Sequence, residues 1–212
     1  MSRRTIAYAV SFVVLAVLVE VTDFDRLNQF AVDHLQPFAS GKGHPRLNSL
    51  AELVVSPGGP GFSALLIGIA ALLLLAQRRP RAAFAWPATL VAALVIEVVC
   101  KLVINQHRSG IWHGFGFTFD SSFPSGHMLR AILVAGAAAA VWPWLRGPLI
   151  LWCVAVAGCL LVSGWHLPTD IAGGILAGLA LASWANDYDD EPVDAGLAPA
   201  NSGFRAGSAS QR

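Results

Sequence analysis

Charge is almost excluded from six long stretches of this chain, and that exclusion limits what the chain can fold into. The stretches run from about Thr5 to Val21, Phe62 to Ala76, Ala82 to Ile104, Pro124 to Trp144, Leu149 to Trp165 and Pro168 to Ala185, the third interrupted by Glu97 and Lys101. Of the 212 residues 55% are hydrophobic and 13% charged, where a soluble domain carries about 25% charged. Lipid is therefore the expected solvent. In lipid the backbone must satisfy its own hydrogen bonds, which leaves helices or closed barrels; continuous rather than alternating apolar runs select helices. The expected fold is all-α: a polytopic membrane protein, a bundle of about six transmembrane helices in one domain over residues 1–185. Residues 186–212, acidic at first and then rich in Ala, Gly, Ser and Pro, cannot bury enough apolar surface to order themselves and are expected to be a disordered cytoplasmic tail.

Orientation follows from the connecting segments. Arg3 and Arg4 precede the first run, Arg78, Arg79 and Arg81 join the second to the third, and Arg146 joins the fourth to the fifth. These fall on one side if every run spans, and the excess of arginine makes that side cytoplasmic. Trp142, Trp144 and Trp184 at the same side fit an interfacial aromatic belt. Ser2-Arg3-Arg4 before an apolar run mimics a signal peptide, but no convincing small-x-small cleavage site follows, so the first helix is expected to be retained. On the opposite side lie the loops of about 22–61 and 105–123 and the turn near His166. Within the first, residues 25–38 have the spacing of an interfacial amphipathic helix. Ser56-Pro57-Gly58-Gly59-Pro60-Gly61 reads as a break before the second span.

A formal net charge of +1 with no basic stripe gives no support to a nucleic-acid partner. Cys100, Cys153 and Cys159 all fall inside apolar runs and build no disulfide framework. No zinc-type spacing is present, and no metal or cofactor is expected.

The polar residues that do enter the apolar stretches gather on the side away from the arginine loops. Lys101 ends the third run and Arg108 follows seven residues later; Pro124-Ser125-Gly126-His127 opens the fourth, with Arg130 one turn deeper; His166 precedes the sixth, with Asp170 in its first turn. Ionisable groups in lipid are costly and mark functional sites, and accidents would scatter over both faces. The set suits phosphoryl transfer, in which negative charge spreads over three oxygens. Lys101 offers a point charge and Arg108 a planar fork. Ser125 and Gly126 sit at a helix start with free N–H groups, and Gly126 permits close approach of backbone to an oxyanion. His166 is the better nucleophile, because Asp170 four residues on is placed to fix its tautomer. His127, beside the anion site, is the better acid. Glu97, one turn before Lys101, reads as its counter-ion. His34, His44, His107 and His113 read as loop residues. Trp112, Phe115, Phe117 and Phe119, with Gly114 and Gly116, read as an interfacial anchor or as a wall over the site.

Lys101-x6-Arg108, Pro124-Ser125-Gly126-His127 and His166-x3-Asp170 occur in that order, and the resemblance covers roughly residues 60–185. Together they resemble the three signatures of the type 2 phosphatidic acid phosphatase superfamily, which includes bacterial undecaprenyl diphosphate phosphatases and vanadium haloperoxidases. The resemblance implies His166 as a nucleophile that forms a phosphohistidine, Asp170 orienting it and His127 protonating the leaving group. It implies Lys101, Arg108, Ser125 and Gly126 as holders of phosphate oxygens, without a metal. It further implies a multi-pass enzyme of the bacterial cytoplasmic (inner) membrane with its site on the extracytoplasmic face. The partner is then a membrane lipid phosphate: a polyprenyl diphosphate such as undecaprenyl diphosphate first, or a glycerolipid phosphate such as phosphatidylglycerol phosphate or phosphatidate.

Two positions depart from the family pattern. Ser109 follows Arg108 where the family has proline, and Cys159-Leu160 stand where the third signature carries Ser-Arg. Arg130, three residues past His127 and on the same helical face, is expected to supply the missing charge as a phosphate ligand. Two rival readings share the pattern. One is a lipid phosphotransferase using the same phosphohistidine. The other is a non-catalytic lipid-binding or transport protein, which the absent arginine favours and the retained histidines oppose.

Overall fold

The computed structural model describes residues 1–22, 24, 27, 28, 30, 31, 34, 45–104, 112–114, 117–119 and 121–190. Its principal helices are α1 (Arg3–Val21), α2 (Pro45–Val55), α3 (Pro60–Ala76), α4 (Pro80–Val103), α5 (Gly126–Val141), α6 (Arg146–Val162) and α7 (Pro168–Asp190). Between α4 and α5 the backbone of β1 (Trp112–Gly114) pairs antiparallel with β2 (Phe117–Phe119), a small hairpin in an otherwise helical fold.

Each of the six apolar runs coincides with a helix, α1 and α3 to α7. Helix α2 has no counterpart among the expected spans, because its 11 residues are too few to cross and too mixed to stand out as an apolar run. A 3-10 turn, Ser56–Gly58, follows it and leads into α3 with a bend of 49°, so the glycine-proline run is the expected break. At the other end α7 continues past Ala185 to Asp190, because Asp187 and Asp189 find partners on neighbouring elements. Of the stretch expected to be amphipathic, Leu27, Asn28, Phe30, Ala31 and His34 are helical, with His34 Nδ1 3.0 Å from the Phe30 carbonyl; the remainder of 25–38 and all of 191–212 lie outside the described residues.

Helix α5 occupies the centre and packs on α3, α4, α6 and α7, while α1 lies along α7. Its 16 residues measure about 24 Å at 1.5 Å per residue, short of the roughly 30 Å hydrocarbon core, and most of them are buried by the other helices. Among the described residues Arg3–Val21, Pro80–Val103 and Pro143–Val162 are each long and apolar enough to cross a membrane, and Ser49–Gly58 with Pro60–Ala76 passes the same test only when the bent pair is taken together. The outward faces of these helices present Val13 and Val17, Leu65 and Leu72, Val91 and Val95, and Ile150 and Leu151, all exposed. So much aliphatic surface is untenable in water and ordinary in lipid; the chain is an integral membrane protein.

Small residues set the closest approaches, as in other membrane bundles. A Cβ on Gly174 of α7 would lie 2.6 Å from the Ser125 carbonyl oxygen at the start of α5, and one on Gly136 would lie 2.5 Å from the fully buried Trp86 ring. The end of the bundle that carries the arginines is tied by polar contacts instead. Thr5 Oγ1 of α1 lies 2.8 Å from both Ser183 Oγ and Asp187 Oδ2 of α7, and the Ser2 backbone N–H donates to Asp187. Arg79 donates to the Ala140 carbonyl at 2.6 Å and pairs with Asp189.

The Ser2 N–H, aided by the Thr5 hydroxyl, holds the Asp187 carboxyl below the usual carboxylate range. A depressed folded pKa contributes stability above the unfolded value, and that contribution is lost as pH falls through the folded one. Asp187→Asn is therefore expected to lower the thermal midpoint in detergent at neutral pH, and the difference from the parent is expected to shrink as the pH is taken down through the carboxylate range. Thr5→Val, which removes about 1 kcal/mol of hydrogen bonding, should lower the same midpoint by about 2–4 °C.

Candidate active site

Helix α6 ends in a turn that delivers His166. The Gly164 N–H donates to the Leu161 carbonyl and the Trp165 N–H to the Leu160 carbonyl, each at 3.1 Å, the pairing of a Schellman motif. Gly164 has φ of 69°, the left-handed region where glycine carries no steric cost. The His166 N–H adds a third bond, 3.2 Å, to the Leu160 carbonyl. Pro168 then opens α7 with its φ already set. Asp170, in the first turn, reaches back to accept from the Leu167 N–H at 3.0 Å, half of a capping box. The same Oδ2 accepts from the Ser122 hydroxyl at 2.7 Å and faces His166 Nδ1 at 3.4 Å. The last distance is long for a full hydrogen bond, but it decides which ring nitrogen looks toward the acid. Both residues are buried, and Asp170 Oδ1 has no partner among the described residues.

The start of α5 is brought to this point by its own backbone. Phe123 is buried, stacks on Phe12 at 6.0 Å between centroids and fits against Gly173. Ser125, the N-cap, donates its N–H to the Asp170 carbonyl at 2.9 Å and accepts the Met128 N–H on its hydroxyl at 3.4 Å. The first N–H groups of a helix have no partner within it, so Gly126 and His127 present theirs at the helix start. Glu97 of α4 lies against this helix start, where a Cβ on Gly126 would fall 2.1 Å from Glu97 Oε1. Side chains from α4, α5 and the entry to α7 thus share one end of the bundle.

A second cluster adjoins the first. Glu97 Oε1 accepts from Lys101 Nζ at 2.7 Å, and Glu97 Oε2 pairs with Arg130 Nη1. Arg130 Nε donates to the Gly58 carbonyl at 2.8 Å. Glu97 is therefore the counter-ion of Lys101, and equally that of Arg130. Arg130 itself is engaged by Glu97 and Gly58. Leu160, where the family signature has arginine, is fully buried in the apolar core. Arg108 lies outside the described residues. Among the described residues no group of three His, Cys, Asp or Glu is arranged to hold a metal ion.

Sequence reasoning misses Ser122, Gly58 and the Glu97–Arg130 pair. A charged residue inside an apolar run is the signal for Glu97, but no spacing rule joins it to a partner 33 residues away. Ser122 and Gly58 act from loops, where periodicity says nothing.

The model of the PAP2 superfamily matches residues 88–191. The matched segment is similar to that superfamily and holds Glu97, Lys101, Ser122, His127, Arg130, His166 and Asp170, whereas Gly58 and all of α1 to α3 precede it. The fold is similar to a solved structure, the crystal structure of the first transmembrane PAP2 type phosphatidylglycerolphosphate phosphatase from Bacillus subtilis. The identity is 18% and the TM-score 0.66, over 89% of this chain and 96% of that one. At that identity the likeness is one of fold. Among curated proteins no sequence relative matches.

Gly58 links the matched segment to the part of the chain before it. A Cβ there would sit 2.5 Å from the His127 carbonyl oxygen, whereas one on Gly61 meets nothing within 4 Å. Gly58→Ala is expected to cost about 1–3 kcal/mol of stability, and Gly61→Ala close to nothing, as read from thermal or denaturant unfolding in detergent.

Proposed function

We propose that this protein is a membrane lipid phosphatase that hydrolyses a phosphate monoester or diphosphate of a lipid through a phosphohistidine on His166, without a metal. One observation carries the reading: the Ser125 N–H donates to the Asp170 carbonyl at 2.9 Å, which joins the helix start that carries His127 to the turn that carries His166, and Asp170 Oδ2 faces His166 Nδ1 at 3.4 Å. Since Nδ1 of His166 faces Asp170, the attack is assigned to Nε2. Nε2 forms a bond to phosphorus as the phosphorus–oxygen bond to the leaving group breaks, and His127 gives that oxygen its proton. Asp170 stabilises the imidazolium so formed. In the second step His127 takes a proton from water, the water oxygen bonds to phosphorus and the phosphorus–nitrogen bond breaks. Lys101, Arg108 and the N–H groups around Ser125 and Gly126 hold the phosphate oxygens.

The arginines at the far end of the bundle support an extracytoplasmic site in a bacterial cytoplasmic membrane. The substrate's tails then lie in lipid while its headgroup enters between α4, α5 and α7. Polyprenyl diphosphates remain the first choice of substrate. The structurally similar Bacillus subtilis protein is a phosphatidylglycerolphosphate phosphatase, which supports testing phosphatidylglycerol phosphate beside them.

Purified protein in detergent, with chelator present, is expected to release phosphate from at least one member of a panel holding undecaprenyl diphosphate, phosphatidylglycerol phosphate and phosphatidate. His166→Ala should be inactive, and Asp170→Asn should lose roughly 10²–10⁴-fold in kcat. Activity that vanishes with chelator would contradict the metal-free mechanism, and full turnover by His166→Ala would remove the phosphohistidine. Phosphate appearing on an added acceptor lipid instead of in solution would make the protein a phosphotransferase.

A further inference from the structure

Lys101, Glu97 and Arg130 form one group in which a single carboxylate bridges two cations, so the group carries a formal charge of +1. Glu97 and Arg130 are buried, at 6% and 2% exposure. The Glu97 carboxylate also presses on the start of α5: a Cβ on Gly126 would lie 2.1 Å from Oε1. A negative group therefore stands beside the helix start that, on the phosphatase reading, receives a negative phosphate. A Lys101–Glu97 pair by itself would be neutral, and Lys101 would have little attraction left for an anion. Arg130 returns the missing charge. Its Nε is held by the Gly58 carbonyl and its Nη1 by Glu97, which gives it a partner on each side and a fixed place.

We propose, resting on the phosphatase reading, that Arg130 acts on the phosphate through Glu97, as a positioning residue: it neutralises the carboxylate that fixes Lys101, so that Lys101 keeps its charge for the substrate. Direct contact between Arg130 and phosphate is not required. Two properties that a phosphate-binding arginine would combine are thereby separated. Glu97 restricts the flexible lysine stem, and Arg130 cancels the electrostatic cost of having Glu97 there.

Charge counting supplies the test. The parent group sums to +1, Arg130→Gln to zero, Glu97→Gln to +2, and the double variant Glu97→Gln/Arg130→Gln to +1 again. The readouts are equilibrium binding of inorganic phosphate to each protein in detergent, and KM and kcat on a lipid phosphate. Arg130→Gln is expected to weaken phosphate binding and raise KM on the order of 10- to 100-fold, the worth of one charge a few ångströms away in a partly shielded site. The double variant should return phosphate binding to within about 3-fold of the parent, since it restores the formal charge of +1 that the single variant lowers to zero. Its kcat should stay below the parent's, because Lys101 has lost its tether. If Arg130 touches phosphate, the double variant stays as weak as Arg130→Gln, and the proposal is overturned. It is equally overturned if Arg130→Gln unfolds more readily yet binds phosphate like the parent, or if the parent binds none. Should Arg130→Gln fail to fold, the double variant against the parent decides alone. Phosphate binding needs no turnover, so a parent that binds phosphate but hydrolyses no lipid would count against the phosphatase reading and not against this one.

Discussion

The contact on which the site depends is the one between the start of α5 and the first turns of α7. The Ser125 N–H donates to the Asp170 carbonyl at 2.9 Å, and Gly174, one turn further on, has no side chain to hold the Ser125 carbonyl away. His127 lies two residues after Ser125, and His166 four residues before Asp170. A register shift of one helical turn would move the two histidines about 5 Å relative to each other. The backbone bond fixes that register, the glycine permits it, and the buried Phe123 against Gly173 fills the space beside it. Asp170 takes part with both its backbone and its side chain, binding Ser125 through the carbonyl and meeting Ser122, Leu167 and His166 through Oδ2.

The two ends of the bundle solve different problems. At the arginine end, Thr5, Ser183, Asp187, Arg79 and Asp189 satisfy one another and fasten α1 and the α3–α4 turn to α7. At the histidine end Glu97, Arg130, His166 and Asp170 are buried, and the Glu97 carboxylate is shared by two cations. Ionisable groups gathered beside lipid cost free energy, and the surrounding structure must hold them. Gly58 contributes by giving its carbonyl to Arg130 and its lack of a side chain to the His127 backbone. A bend that looks like simple punctuation in the sequence thus braces the site from outside the segment similar to the PAP2 superfamily.

What is legible in the sequence is whatever lipid enforces locally. Long runs almost free of charge have to be helical, and each of the six is. Lys101, Ser125, Gly126, His127, His166 and Asp170 stand out because polar groups at one end of such runs need a reason. The amphipathic α2 has no such signature at 11 residues, and the last turns of α7 look like tail because Asp187 and Asp189 reveal their partners only in three dimensions. Arg130 marks the limit most sharply. Helical spacing puts it on the face of His127, but its partners, Glu97 and the Gly58 carbonyl, come from other segments. Spacing along one helix reports direction, and direction alone does not say which group across the gap is met.

The central claim is that His166 takes the phosphoryl group while His127 serves the oxygens on either side of it. Its most direct test is to quench the enzyme in alkali during turnover of a lipid phosphate, conditions under which a phosphohistidine survives, and to locate the phosphoryl group by peptide mapping. The account predicts it on His166 and nowhere else. A phosphoryl group on another residue, or turnover with His166 never modified, would contradict it.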